Sequence, residues 1–420
     1  MLKRFEKAWW FNLLLIGVLL RLALMPATLH PDLWGHSSAA YFFAYQGKLN
    51  IYQTLLSLPQ DHPLVKNIGV GDVFIYPPLT YFSLGIFRLL AKPFSDPNFI
   101  PWMWSNLASI HSYPNLFWHL FLFKFPYIFV DIAAAFILAG LFDDIKKKKL
   151  AFLLWIFNPA TLYATFMIGQ IDILPTFFAL LSLYLAKKGK KEWAMVSLGV
   201  GGSYKMFPLL LIIPAALILD NNFVKRIKYM IIGFAPFILI SLPFLSSVAY
   251  RQMVLFSPKS QKMLFMVWNV SGAEGVYPFI FILSIIYFYA YYFGQRIRLG
   301  IAFLSILLLI FSVTHYHPQW FLWVTPFLIW ELIQSNFKYW PAVAIFVLSW
   351  VVITLFFEPS LSFGLFNPIA PNLENAVGLT EVLGKYTNVF QFKSLIRSVF
   401  AGTSLFYALS LLFRPVSKRA

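Results

Sequence analysis

The sequence predicts an all-α, polytopic membrane protein with about twelve transmembrane helices and interfacial helices in a long first external loop. Three observations carry this. Charged residues make up 12% of the chain, about half the ~25% of a soluble domain. Apolar residues come in blocks of membrane-spanning length. Basic residues cluster in short segments between those blocks, as the positive-inside rule requires of cytoplasmic loops. A net charge of +17 would point a soluble chain towards nucleic acid, but topology accounts for it here. The strand-length alternation of a membrane β-barrel is missing from the sequence. The chain has no cysteine, which excludes disulfides, thiolate nucleophiles and Cys metal sites.

The first span is expected at 9–28, behind a basic segment from Met1 to Lys7. No small-residue cleavage site follows, so it reads as a retained helix. Residues 30–117 then form a polar, Pro-rich and aromatic stretch with two short amphipathic candidates, 37–52 and 78–90. The second is short for a span. Threading it across the bilayer would also put Lys146-Lys147-Lys148-Lys149 outside, so it is placed in the interface. The next span is 116–142, which ends at this Lys tetrad.

From there the spans alternate. Residues 152–166 and 173–186 go out and back to a basic turn at 187–191, and 193–203 and 208–219 do the same to 225–228. Residues 229–248 and 276–293 flank an external loop, 249–275, and return to Arg296 and Arg298. Residues 301–313 and 320–332 flank a turn at 314–317 and come back towards Lys338. Residues 340–357 and 392–413 flank the loop 358–391, and the chain ends past Arg414, Lys418 and Arg419. Both termini are then cytoplasmic, and the seven cytoplasmic pieces hold 20 of the 33 Lys and Arg. We divide this single membrane domain, 1–420, into the external loop 30–117, a core module 118–326 and the C-terminal helices 327–420. Pro159, Pro175 and Pro208 interrupt the middle spans, as in helices that line a cavity. No repeat relates the two halves, which counts against an inverted-repeat transporter.

With this topology the polar residues that need explaining collect on the external side. They are Asp32 and His36, the turn Gly169-Gln170-Ile171-Asp172, Lys205 after Ser203-Tyr204, Arg251, Lys259 and Lys262, and His315-Tyr316-His317-Pro318-Gln319. Ionisable residues at membrane depth are costly and point to function. A carboxylate here can take the proton of an attacking hydroxyl, and Asp32 is the catalytic candidate. Lys205, the histidines and Arg251 can hold a phosphate leaving group. Simpler roles stand beside these. Asp32 can cap the helix that follows, and Asp172 can merely join two spans. Lys205 can snorkel, and His315 and His317 can be core or metal-ligating histidines. Asp131, inside a span, needs a buried partner, Lys124 or Arg21. Trp9, Trp10, Trp102, Trp104 and Trp340 fit an interfacial belt.

A first span followed closely by an acidic residue and a long external loop resembles the GT-C superfamily of polyprenyl-phosphate-sugar-dependent glycosyltransferases. Tyr76-Pro77-Pro78-Leu79-Thr80-Tyr81 resembles an element of the dolichyl-phosphate-glucose glucosyltransferases. Lys124-Phe125-Pro126, Asp131, Asn158-Pro159 and Gly169-Gln170-Ile171-Asp172 resemble the bacterial mannosyltransferases related to GPI mannosyltransferase II. Tyr204-Lys205 with Pro208 and Pro214, and His317-Pro318-Gln319-Trp320-Phe321-Leu322-Trp323 with Pro326, extend the likeness. The resemblance implies a GT-C fold, Asp32 as the catalytic acidic residue, and Lys205 and His317 near donor phosphate or acceptor. The Asp-x-Asp of the eukaryotic first GPI mannosyltransferase is missing, since Leu33-Trp34 follow Asp32, so no metal site is expected.

The expected activity is inverting, metal-independent transfer of a sugar, mannose first. It would pass from a polyprenyl-phosphate donor to a lipid-linked or surface glycan at the outer face of the cytoplasmic membrane. Asp32 would be catalytic, with Lys205, His317, Gln170, Asp172, Tyr76, His315, Gln319 and Arg251 binding substrate. No cofactor or nucleic acid is expected. The alternative is a transporter or flippase of polyprenyl-linked glycans, which would place charges at the bilayer midplane.

Overall fold

The computed structural model describes residues 9–413, so the basic Met1–Lys7 segment and Arg414, Lys418 and Arg419 lie outside the described residues. The chain opens with α1 (Phe11–Ala27), α2 (Asp32–Gln46) and, after three short helices, α3 (Pro78–Leu90). Then come α4 (Leu116–Gly140), α5 (Ile145–Met167), α6 (Ile173–Lys187), α7 (Lys191–Gly202) and α8 (Leu209–Leu219). The remainder is α9 (Phe223–Phe244), α10 (Pro278–Arg296), α11 (Leu299–Val313), α12 (Phe321–Gln334), α13 (Trp340–Leu355) and α14 (Val389–Leu412). A two-stranded antiparallel hairpin, Trp268–Asn269 with Gly275–Val276, interrupts the loop between α9 and α10, and the other regular elements among the described residues are helical.

Every segment expected to span is helical, but the expected count of about twelve crossings is not reached by length and apolarity. Five helices, α4, α5, α9, α10 and α14, meet both conditions, and six if the bent pair α1 and α2 is one span. The physical reason is length. At ~1.5 Å rise per residue, the 15 residues of α11 cover about 22 Å of a ~30 Å hydrocarbon core. Helix α11 is buried along Leu299–Phe311, whereas α9 is buried over only 22% of its apolar window. Hydropathy scores a short central helix and a lipid-facing one alike.

The segment that carries Asp32 is held by two buried cations. Helix α1 ends at Ala27, and α2 leaves it at 88°. The Lys124 ammonium reaches across from α4 and donates to the carbonyls of Met25 (3.0 Å) and Thr28 (2.5 Å) and to the Thr28 hydroxyl (3.0 Å). These satisfy carbonyls that a helix end leaves open. Deeper in α1, Arg21 Nε donates to Asp131 at 2.6 Å, with both side chains fully buried, and Trp155 Nε1 donates to the same carboxylate at 2.9 Å. Of the two partners expected for Asp131, Arg21 is the one it meets. Arg21→Met leaves Asp131 buried and unpaired, so the variant should lose about 3–5 kcal/mol. Thermal unfolding in detergent reads this, and replacing Asp131 by Leu as well should restore most of the loss.

The helix expected at 37–52 begins earlier and ends earlier. Gly47, at φ +65°, closes α2, and Asn50 caps a separate turn, Ile51–Leu56, by accepting from the Gln53 amide. Helix α3 begins and ends where expected and packs along α2. Their buried side chains, with Phe99, Met103 and Leu120, form an apolar cluster that Phe244 joins from the end of α9 and Tyr250 and Val254 from the chain beyond it.

Candidate active site

Asp32 is the first residue of α2, behind Pro31, and its carboxylate makes no capping bond, so the simpler capping role is not the one it plays. The Asp32 amide instead donates to His30 Nδ1 at 3.2 Å. That nitrogen is therefore unprotonated, and burial holds the His30 pKa below its ordinary value. The two do not form an ion pair at neutral pH. The carboxylate is 43% exposed, and Gln170 Nε2 donates to its Oδ2. Gln170 itself is 1% exposed. It follows Gly169, whose φ of +81° is a region side chains avoid and whose missing Cβ would lie 2.5 Å from Leu33 Cδ2. The Gly-Gln pair thus lets the 169–172 turn close onto the start of α2. Asp32 Oδ1 accepts nothing from a described side chain, which leaves one carboxylate oxygen for a proton.

Asp172 is placed for a different task. It is fully buried, and its Oδ1 accepts from Lys205 Nζ at 2.7 Å and from Trp323 Nε1. The ammonium of Lys205 also lies over the rings of Tyr76 (5.3 Å), Trp320 (5.4 Å) and Trp323 (5.0 Å). An aromatic cage of this kind favours a fixed cation. The Tyr-Pro-Pro-Leu-Thr element buttresses it. Thr80 Oγ1 donates to the Tyr204 carbonyl at 2.9 Å, and Ser83 meets the Tyr204 hydroxyl at 2.8 Å. Two motifs far apart in the chain therefore fix one lysine.

A second cation stands close by. Lys262 Nζ lies 2.7 Å from His317 Nε2 and over the Trp320 ring at 5.6 Å. Burial and the neighbouring Lys262 push the His317 pKa down to about 4, so the ring is neutral at pH 7. Nε2 then accepts from Lys262, which assigns the ring proton to Nδ1. The Lys262 pKa is lowered by burial first, then by Lys259 and Lys205, while Asp32 raises it. The two lysines and Asp32 thus feel one another's charge. The folded pKa of His317 lies below its ordinary value, so its arrangement is complete above about pH 6.5 and is lost as pH falls towards 4. Wild-type protein should lose more thermal stability over that window than His317→Gln, whose amide oxygen accepts from Lys262 without titrating.

The remaining candidates divide. Tyr76 joins the cluster through Lys205 and packs against His36, with ring centres 5.2 Å apart. His315 flanks His317 at 5.9 Å but is exposed. Gln319 is 5% exposed, with an unpartnered Oε1. Arg251 is not brought to the cluster, because it lies in a π-turn and donates to the Leu245 carbonyl at 2.5 Å. Trp320, Trp323 and Lys262 carry contacts that the sequence reading gave no role. The two tryptophans had a signal, their spacing of three on one helical motif. Lys262 had its charge and its place in the loop beside Lys259, but no role of its own.

This arrangement falls within a known family. The sequence profile of Glycosyltransferase family 87 matches residues 74–316, more than half of the chain. The chain belongs to glycosyltransferase family 87. The family-87 match takes in Tyr76, Gln170, Asp172, Lys205, Lys262 and His315, begins beyond Asp32 and stops one residue before His317. Family 87 is a GT-C-like family of membrane glycosyltransferases, which agrees with the all-α membrane fold and supports a transferase. No curated protein matches the chain.

Proposed function

We propose that this protein is an inverting, metal-independent glycosyltransferase that uses a polyprenyl-phosphate sugar, mannose first, at the outer face of the cytoplasmic membrane. The observation that carries this reading is the division of labour between the two carboxylates. Asp172 is buried and paired with Lys205 through Oδ1, its Oδ2 enclosed and out of reach, whereas Asp32 is exposed and presents its open Oδ1 where an acceptor can arrive. A hydroxyl of the acceptor glycan attacks the anomeric carbon from the face opposite the phosphate. The new C–O bond forms as the bond to the phosphate oxygen breaks, and Asp32 takes the hydroxyl proton. Lys205 and Lys262, held by Asp172 and His317, receive the charge of the departing polyprenyl phosphate. His317 acts by orienting Lys262 and carries no charge of its own at neutral pH. Two fixed cations supply the electrostatic role that a metal fills elsewhere.

The twelve-crossing topology remains part of this proposal. Short helices such as α6 and α11 would complete the bundle between longer lipid-facing ones, with the Lys146–Lys149 run in the cytoplasm. A panel of radiolabelled polyprenyl-phosphate mannose, glucose and arabinose, offered to the purified protein in vesicles, tests the donor. Label entering an acceptor from the mannose donor at ten times the rate of the others supports the reading. Nucleotide sugars used in preference to all three would remove it.

A further inference from the structure

The structure also holds a buried cation that neither the transfer step nor an ion pair uses. Arg88, in the last turn of α3, is 5% exposed, and none of Nε, Nη1 and Nη2 makes a hydrogen bond of ordinary geometry among the described residues, although the hydroxyls of Tyr45 and Tyr41 are near enough to favour its charge. The rings of Phe123 (4.8 Å) and Tyr45 (5.9 Å) lie beside it. Rings attract a cation but accept none of the five N–H donors of a guanidinium in the way an anion does. A buried charge without such partners is rare in a folded protein.

Arg88 faces a crevice between α2, α3 and α4, lined also by Leu33, His36, Leu84, Phe123 and Tyr127. The cavity has a volume of about 40 Å³. At the ~10–15 Å³ that one ordered water needs, that is room for about three waters, or for the oxygens of one phosphate. His36 contributes a second unpartnered atom, its buried Nδ1. The surroundings are apolar and face outwards. On α3, Ile86 is 52%, Phe87 38% and Leu90 70% exposed. Phe117 and Trp118, at the start of α4, are exposed as well. Such a rim on an interfacial helix meets lipid. The inner wall is α2 itself, with His36 one turn beyond Asp32.

We propose that Arg88 anchors a second lipid-phosphate site, in which a phosphate-headed membrane lipid enters from the bilayer and lies one helical turn behind Asp32. That this site is distinct from the donor's rests on the assignment of the donor phosphate to Lys205 and Lys262. Binding at Arg88 itself does not. The guanidinium fork matches two phosphate oxygens, and the apolar rim takes the first part of the acyl chains.

The test uses the full-length protein in neutral detergent and fluorescent phosphatidylglycerol as the probe. Unlabelled phosphatidylglycerol should compete, whereas diacylglycerol, which has the chains without the phosphate, should not. Inorganic phosphate should not compete at millimolar concentration. Arg88→Gln should weaken binding roughly tenfold or more, as expected for loss of charge-assisted hydrogen bonds. Arg88→Lys should recover part of it. Leu84→Trp fills the crevice with the charge in place and should weaken binding too, which keeps the proposal open to refutation where Arg88→Gln fails to fold. Binding of polyprenyl phosphate should change less than twofold in either folded variant. Unchanged phosphatidylglycerol binding in the folded variants overturns the proposal. So does competition by inorganic phosphate, or a parallel loss of polyprenyl phosphate. Asp32→Asn should keep phosphatidylglycerol binding while losing transfer. Wild-type protein that binds the lipid but transfers no sugar would end the transferase reading and leave this site standing.

Discussion

Asp32→Asn is expected to lower the turnover of sugar transfer by about 10³-fold, within the ~10²–10⁴ that a positioned base contributes, and to leave donor affinity within threefold. The substitution preserves shape. Asn keeps an oxygen that accepts from Gln170 Nε2, the contact that now holds Asp32 Oδ2. It removes only the ability to take a proton. Loss of turnover without loss of donor binding separates a base from a residue that merely positions the sugar. Asp32→Glu, which keeps the carboxylate on a longer stem, should fall between the two. Wild-type turnover in Asp32→Asn would show that the proton leaves by another route.

The second large effect is expected at Lys205. Replacing it with Met strands Asp172, a fully buried carboxylate whose only other described donor is Trp323. Removal of one partner from a buried pair costs about 3–5 kcal/mol. Donor affinity should also drop tenfold or more, because one of the two cations proposed to receive the donor phosphate is gone. These effects can be told apart. Combining Lys205→Met with Asp172→Asn removes the stranded charge, so thermal stability should largely return while donor binding stays weak. A double variant that recovers both would reduce Lys205 to a structural partner.

Much of the architecture was legible because membrane insertion writes itself into hydropathy. The apolar blocks, the basic clusters that punctuate them and the short helix at 78–90 could be read directly. The number of crossings could not, since α11 is apolar on all sides from burial among helices and not from contact with lipid. Asp32 was legible for a local reason: it is a carboxylate just past the end of a membrane helix. Its companions depend on distant pairings. Lys205 meets Asp172 across 33 positions, Lys262 meets His317 across 55, and Trp323 meets Asp172 across 151. No local pattern encodes such contacts. The Arg21 and Asp131 pair was accessible because a buried charge must find a partner and the chain offered two. Arg251 shows the opposite. Its place in an external loop invited a phosphate role, but a π-turn directs it to the Leu245 carbonyl.

The central claim is that Asp32 acts as a base in a single displacement at the anomeric carbon, and the stereochemistry of the product tests it most directly. Purified wild-type protein should be given a polyprenyl-phosphate sugar of known anomeric configuration, and the product linkage assigned by nuclear magnetic resonance. The account predicts the inverted configuration, with one polyprenyl phosphate released for each sugar transferred. Retention would require a side chain to act as nucleophile and form a glycosyl-enzyme, and it would contradict the role given to Asp32.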